Sequence, residues 1–169
     1  MTSRPAPAAS GRAPHRQGSA SIRFDWGLPG ALAVADGAAV VVVVDVLSFT
    51  TTVSVAADLG IEVFPYGFRD ASAATFAADR QAVLAVGRSE AGSVGVSLSP
   101  LSVRAAADDG TLVDGGRLVL PSPNGSTIAR ALVEGGSTVV AGCLRNAAAV
   151  ARWAAREAAG APIAVVAAG

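Results

Sequence analysis

Five consecutive valines, Val40 to Val44, run straight into Asp45. A continuous β-branched run offers no polar face to water. It suits a strand buried on both sides, as strands are in a parallel sheet covered by helices. With this strand read as Val40 to Val46, a helix follows over Ser48 to Asp58, opened by hydroxyl residues and closed by Gly60.

The same alternation extends along the chain. Ser21 to Phe24 reads as a short strand and Leu28 to Ala35 as a weak helix. Ile61 to Pro65 and Ala82 to Val86 read as strands on either side of an alanine-rich helix, Asp70 to Arg80, with Asp70 as its N-cap. A glycine- and serine-rich stretch, Gly87 to Gly116, carries one short helix near Leu101 to Ala107. Strands then recur at Arg117 to Leu120, Thr138 to Ala141 and Ile163 to Ala167, with helices over Asn124 to Glu134 and Asn146 to Ala159. Strands separated by helices of about 10–15 residues predict an α/β fold. The expected architecture is three-layer α/β/α with a mainly parallel sheet, a mixed edge being allowed. Residues 1–18 read as a disordered N-terminal tail and residues 19–169 as a single α/β domain.

Composition narrows the chemistry. Apolar residues make up 51% of the chain and charged residues 15%, which supplies a core and argues against disorder. The 13 acids balance the 13 bases, so no broad nucleic-acid face is expected. Every base is an arginine, which removes lysine Schiff-base and P-loop chemistry. The one histidine, His15, lies in the expected tail, away from any Ser-His-Asp arrangement. The lone Cys143 forms no intrachain disulfide and lacks a histidine or lysine to activate it. No stretch approaches the roughly 20 apolar residues of a membrane span. The opening segment has no secretory apolar region, and a cytoplasmic location is the expectation.

In a parallel sheet, ligands bind beyond the carboxyl ends of the strands. Three strand-to-helix junctions reach that edge: Asp45-Val-Leu-Ser48-Phe-Thr50-Thr51-Thr52, Pro121-Ser-Pro-Asn124-Gly125-Ser126-Thr127, and Ala141-Gly-Cys-Leu-Arg145-Asn146-Ala147. Each places small or hydroxyl residues where a helix start leaves unpaired N–H groups, which favours phosphate, sulfonate or carboxylate. The same residues are also ordinary helix caps. Asp45 is the sharpest candidate. A carboxylate at the end of an apolar strand is costly unless it is exposed, paired or bound to a cation, and Mg²⁺ commonly takes one or two carboxylates there. Its other reading is a cap on the following helix. Arg88 is placed to fork onto a phosphate and Glu90 to serve as a second cation ligand, or the two form a solvated loop pair. Arg145 is a weaker candidate of the same kind, and Trp26 and Trp153 read as packing residues.

With these junctions in view, the chain resembles the 2-phosphosulfolactate phosphatase (ComB-like) family from about Val40 to Gly169. The carriers are Val-Val-Asp45-Val-Leu-Ser-Phe-Thr-Thr-Thr52, Gly87-Arg88, Leu98-Ser99-Pro100, Ser122-Pro-Asn124-Gly125-Ser126 and Gly142-Cys-Leu-Arg-Asn146-Ala147. The resemblance implies a Mg²⁺-dependent phosphomonoester hydrolase that converts 2-phospho-3-sulfolactate and water to 3-sulfolactate and phosphate, a step towards coenzyme M. It implies a small anionic phosphorylated substrate and allows a homodimer. Asp45, Arg88 and Asn124 are then the catalytic candidates, with Asp45 and Glu90 for the metal. Ser48, Thr50, Thr51, Thr52, Gly125, Ser126 and Asn146 are the candidates for the phosphate. The chain departs from the family in having Ser48 where an arginine is usual. It also stops at Gly169, before the family's acidic loop and further helix, so its C-terminal part reads as incomplete. Two other classes stay open: a non-catalytic anion- or nucleotide-binding module, or an inactive truncated homologue. An isochorismatase-type cysteine hydrolase would need a lysine that this chain lacks.

Overall fold

The computed structural model describes residues 14–68, 70–87, 89–92 and 95–169. A 3-10 turn, Pro14–Arg16, precedes β1 (Ile22–Trp26), α1 (Gly27–Ala35), β2 (Val40–Val44), α2 (Phe49–Asp58), β3 (Glu62–Tyr66) and α3 (Ala71–Ala78). Then follow β4 (Val83–Leu84), α4 (Pro100–Asp108), β5 (Arg117–Pro121), α5 (Gly125–Glu134), β6 (Val139–Gly142), α6 (Ala147–Ala158) and β7 (Ile163–Ala167). The α/β alternation is as the sequence implies, and every strand pair among the described residues is parallel.

The valine run takes an inner place. β2 pairs with β7 on one side and β6 on the other, in a sheet of order β1-β7-β2-β6. Its alternate side chains serve opposite faces, as the pleat requires. Val41 and Val43 pack with Ala31 and Val34 of α1 and with Ile128 and Leu132 of α5. Val40 and Val42 pack with Val150, Ala154 and Ala158 of α6. Helices therefore cover both faces, which makes the three layers.

The remaining strands form a second sheet, of order β3-β5-β4, where the sequence reading had one. Pro65 within β3 supplies a physical reason. Proline gives no N–H to a ladder and belongs on an edge strand, so β3 closes its sheet and does not continue into β6. On this sheet Leu118 and Leu120 of β5 pack against Phe49, Val55 and Ala56 of α2 and against Val103 and Ala106 of α4. Helices α2 and α5 each touch strands of both sheets and so span the seam between them. A cavity of ≈ 360 Å³ remains in that seam, bounded by Val43, Phe49, Val63, Pro65, Ala129 and Val139 among others.

Local signals hold at several helix ends. The Asp70 carboxylate accepts the Ser72 N–H at 2.9 Å and caps α3. Gly60, just past α2, has φ +69°, and a Cβ there would lie 1.9 Å from Asp114 Oδ1. Only glycine meets both conditions. The expected tail differs from the structure in its last five residues. Residues 14–18 lie against the domain because Arg16 pairs with Asp36 at 2.6 Å and the Gln17 amide brackets Phe24 of β1, donating to its carbonyl at 2.7 Å and accepting its N–H at 2.9 Å. The rest of that segment, residues 1–13, lies outside the described residues. Among the described residues no helix is long and apolar enough to cross a membrane.

Candidate functional site

Asp45 leaves β2 at its carboxyl end. The turn into α2 is closed by two reciprocal bonds: the Thr50 N–H donates to the Asp45 carbonyl at 2.9 Å, and the Asp45 N–H donates to Thr50 Oγ1 at 3.1 Å. The side chain then crosses the seam. Asp45 Oδ2 accepts the Gly125 N–H at 3.1 Å, at the start of α5, with Ser122 Oγ at 3.5 Å. The Phe49 N–H, first in α2, lies close enough to lower the pKa of this carboxylate. One carboxylate therefore sits at the first turn of two helices, one leaving each sheet. Such positions favour negative charge.

Burial is the largest influence on its protonation and raises the Asp45 pKa above the ordinary 3.8, against the lowering effect of Gly125, Ser122 and Phe49. Around it lies a pocket of ≈ 140 Å³ bounded by Asp45, Leu47, Ser48, Phe49, Leu98, Leu120, Ser122, Pro123, Asn124 and Gly169. Asn124 is exposed and makes no side-chain cap to α5. Its amide is open to a ligand among the described residues.

The family model for 2-phosphosulpholactate phosphatase matches residues 29–169. The chain belongs to that family. No curated protein and no solved structure matches it. The matched span begins inside α1 and takes in Asp45 and all three junctions. The 2-phosphosulpholactate phosphatase family implies phosphatase chemistry and a small phosphorylated substrate.

Within this family member, the candidate residues divide by what their side chains touch. Asp45, Ser48, Asn124 and Gly125 come together at the seam. The hydroxyls expected to hold phosphate are mostly committed to backbone. Thr50 and Thr52 are 0% exposed. Thr50 Oγ1 serves the Asp45 N–H, and Thr52 Oγ1 donates to the carbonyls of Ser48 at 2.9 Å and Leu98 at 3.0 Å. Thr51 Oγ1 donates to the Val46 carbonyl at 2.8 Å, and Ser48 Oγ to the Leu98 carbonyl at 2.6 Å. Ser126, also 0% exposed, donates to the Leu120 carbonyl at 2.8 Å. A buried hydroxyl must be paired; here nearby carbonyls accept from Ser48, Thr51, Thr52 and Ser126, and a backbone N–H donates to Thr50. In this structure the hydroxyls of Thr50, Thr52 and Ser126 therefore face the protein backbone.

The third junction is self-contained. Asn146 Nδ2 donates to the Ala141 carbonyl at 3.0 Å, and its Oδ1 accepts the Cys143 N–H at 2.8 Å. Cys143 is buried. Arg145 turns along α2, donating to the Ser54 carbonyl and Oγ at 3.1 and 2.9 Å and pairing with Asp58 at 2.7 Å. Replacing it should therefore affect stability and spare the pocket. For Arg145→Ala we expect a loss of about 1 kcal/mol, seen as a melting point lower by roughly 2–4 °C, with phosphate release unchanged. Glu90 is exposed, its carboxylate lying over Gly87, where a Cβ would be 3.2 Å from Oε1. Arg88 lies outside the described residues. Among the described residues no cluster of three or more His, Cys, Asp or Glu side chains could hold a metal ion.

The sequence reading quotes Ser122 and Leu98 in its motifs but gives neither a role at the site. Ser122 contributes to the seating of Asp45, and Leu98 forms a wall of the pocket although it belongs to the irregular stretch. The visible signal for Ser122 was a hydroxyl one residue beyond a buried strand.

Proposed function

We propose that this family member is a Mg²⁺-dependent phosphomonoester hydrolase acting at the Asp45 pocket. The supporting observation is the Asp45 carboxylate set at the first turns of α2 and α5, where the two sheets meet. The donor set fits Mg²⁺, which commonly takes one or two carboxylates and completes its shell with water and phosphate oxygens. Asp45 would hold the ion, with the neutral oxygens of Ser122 and Asn124 beside it. Bound there, Mg²⁺ supplies charge neutralisation at the phosphoryl oxygens.

The chain's own groups do the rest. The amide of Asn124 and the N–H groups of α5's first turn beyond Gly125, whose own N–H is held by Asp45, donate to the phosphoryl group. Arg88 serves as the forked cation for the same group. The side chains of Phe49, Leu98 and Leu120 form the apolar walls and limit water to the attacking molecule. That water attacks in line, and the substrate alcohol leaves as phosphate forms. The substrate to try first is 2-phospho-3-sulfolactate, whose hydrolysis to 3-sulfolactate lies on the route to coenzyme M.

The expected result is phosphate release from that substrate with Mg²⁺, abolished by EDTA and restored by adding excess Mg²⁺. Absence of turnover across a panel of small phosphomonoesters would overturn the hydrolase reading. Saturable thermal stabilisation by phosphate without turnover would point to a binding module instead.

A further inference from the structure

Resting on that reading, we infer that Ser48 and Thr52 are positioning residues, which fix the width of the pocket by clamping Leu98 across the seam. The Ser48 hydroxyl donates to the Leu98 carbonyl oxygen at 2.6 Å, and the Thr52 hydroxyl shares its one proton between that oxygen at 3.0 Å and the Ser48 carbonyl at 2.9 Å. A carbonyl has two lone pairs, so this acceptor is saturated. The Thr52 hydroxyl has no route to a ligand, since the residue is 0% exposed.

Leu98 is also anchored from the other side. Its N–H donates to the Val86 carbonyl at 3.2 Å, and the Val86 N–H donates to the Val96 carbonyl at 2.9 Å. Leu98 therefore travels with the strand end that follows β4 in the second sheet, while Ser48 and Thr52 travel with β2 and α2. Among the described residues no strand pairing joins the two sheets. At the pocket, among the described residues, the seam is crossed by Asp45 to Gly125 and Ser122 on the α5 side, and by the two hydroxyls to Leu98 on the other. Leu98 and Ser48 both bound the pocket. Without the hydroxyls a half-buried carbonyl loses its partners and the Leu98 wall is released, while Asp45 keeps its seat on α5.

That asymmetry gives the test. In Thr52→Val the affinity for inorganic phosphate, measured by calorimetry, should fall about fivefold, and KM should rise by about the same factor. The kcat should stay within about twofold, because the reacting groups are untouched. Amide exchange in residues 95–99 should accelerate, with β5 and α5 unchanged. Thr52→Ser, which keeps the hydroxyl, should restore wild-type values where Thr52→Val does not. Unchanged exchange in 95–99 would overturn the clamp. So would a fall in kcat at constant KM, or equal impairment in Thr52→Ser and Thr52→Val. If the wild-type protein neither hydrolyses phosphomonoesters nor binds phosphate, the hydrolase reading fails. Amide exchange in residues 95–99, faster in Thr52→Val and restored in Thr52→Ser, still decides the clamp.

Discussion

Asp45→Asn is expected to abolish Mg²⁺-dependent phosphate release, a loss on the order of 10³-fold or more, while leaving the protein folded and no less stable at neutral pH. The substitution keeps the shape and an acceptor oxygen for the Gly125 N–H, and removes the charge. The stability side has a definite sign. Burial raises the Asp45 pKa above 3.8 in the folded protein, so the folded state binds the proton more tightly than the unfolded chain. Its contribution to stability is most favourable below the unfolded value and declines as pH rises through the raised folded one. Above that it is level. Asparagine does not titrate. The melting point of the variant minus that of wild type, measured without Mg²⁺, should therefore increase from acid pH towards neutrality. A difference that shrinks with rising pH would mean that the helix starts, not burial, dominate at Asp45. Retained phosphate release would remove Asp45 from the chemistry altogether.

Asp45 was legible in the sequence because its cost was legible: a charge at the end of five valines needs a reason. The alternation of strands and helices was equally open, since a buried strand and an amphipathic helix leave different periods. The division into two sheets was not drawn, although Pro65 marked β3 as an edge. The roles of the hydroxyls could not be read locally. A serine or threonine in a helix's first turn bonds a ligand or a nearby carbonyl with equal ease, and the choice rests on burial. Thr50, Thr52 and Ser126 are buried, so they went to backbone. The partner of Asp45 lies 80 residues away in the chain. Nothing in the local pattern around Asp45 names Gly125 as the group it meets.

That distant contact carries the second large prediction. Gly125→Ala should destabilise the protein by about 1–3 kcal/mol and remove phosphate release, although the substitution adds only a methyl group. A Cβ at this position would lie 2.6 Å from Asp45 Oδ2 and 2.3 Å from Phe49 Cδ1. Phe49 is 4% exposed and has little room to withdraw, so the carboxylate must shift as well. The expected sign is opposite to the ordinary one, because alanine in place of glycine in an open helix stabilises by about 1 kcal/mol. A rise in melting point would show that α5 begins in open space and that Asp45 is not seated against it. A compensating change separates the two collisions. Phe49→Leu on the Gly125→Ala background should recover part of the lost stability, since the two sites are in contact and their effects do not add. Activity should stay lost, because the new methyl still occupies the place of Oδ2. Recovery of both together would mean that Gly125 is needed to fit Phe49 rather than to seat the carboxylate.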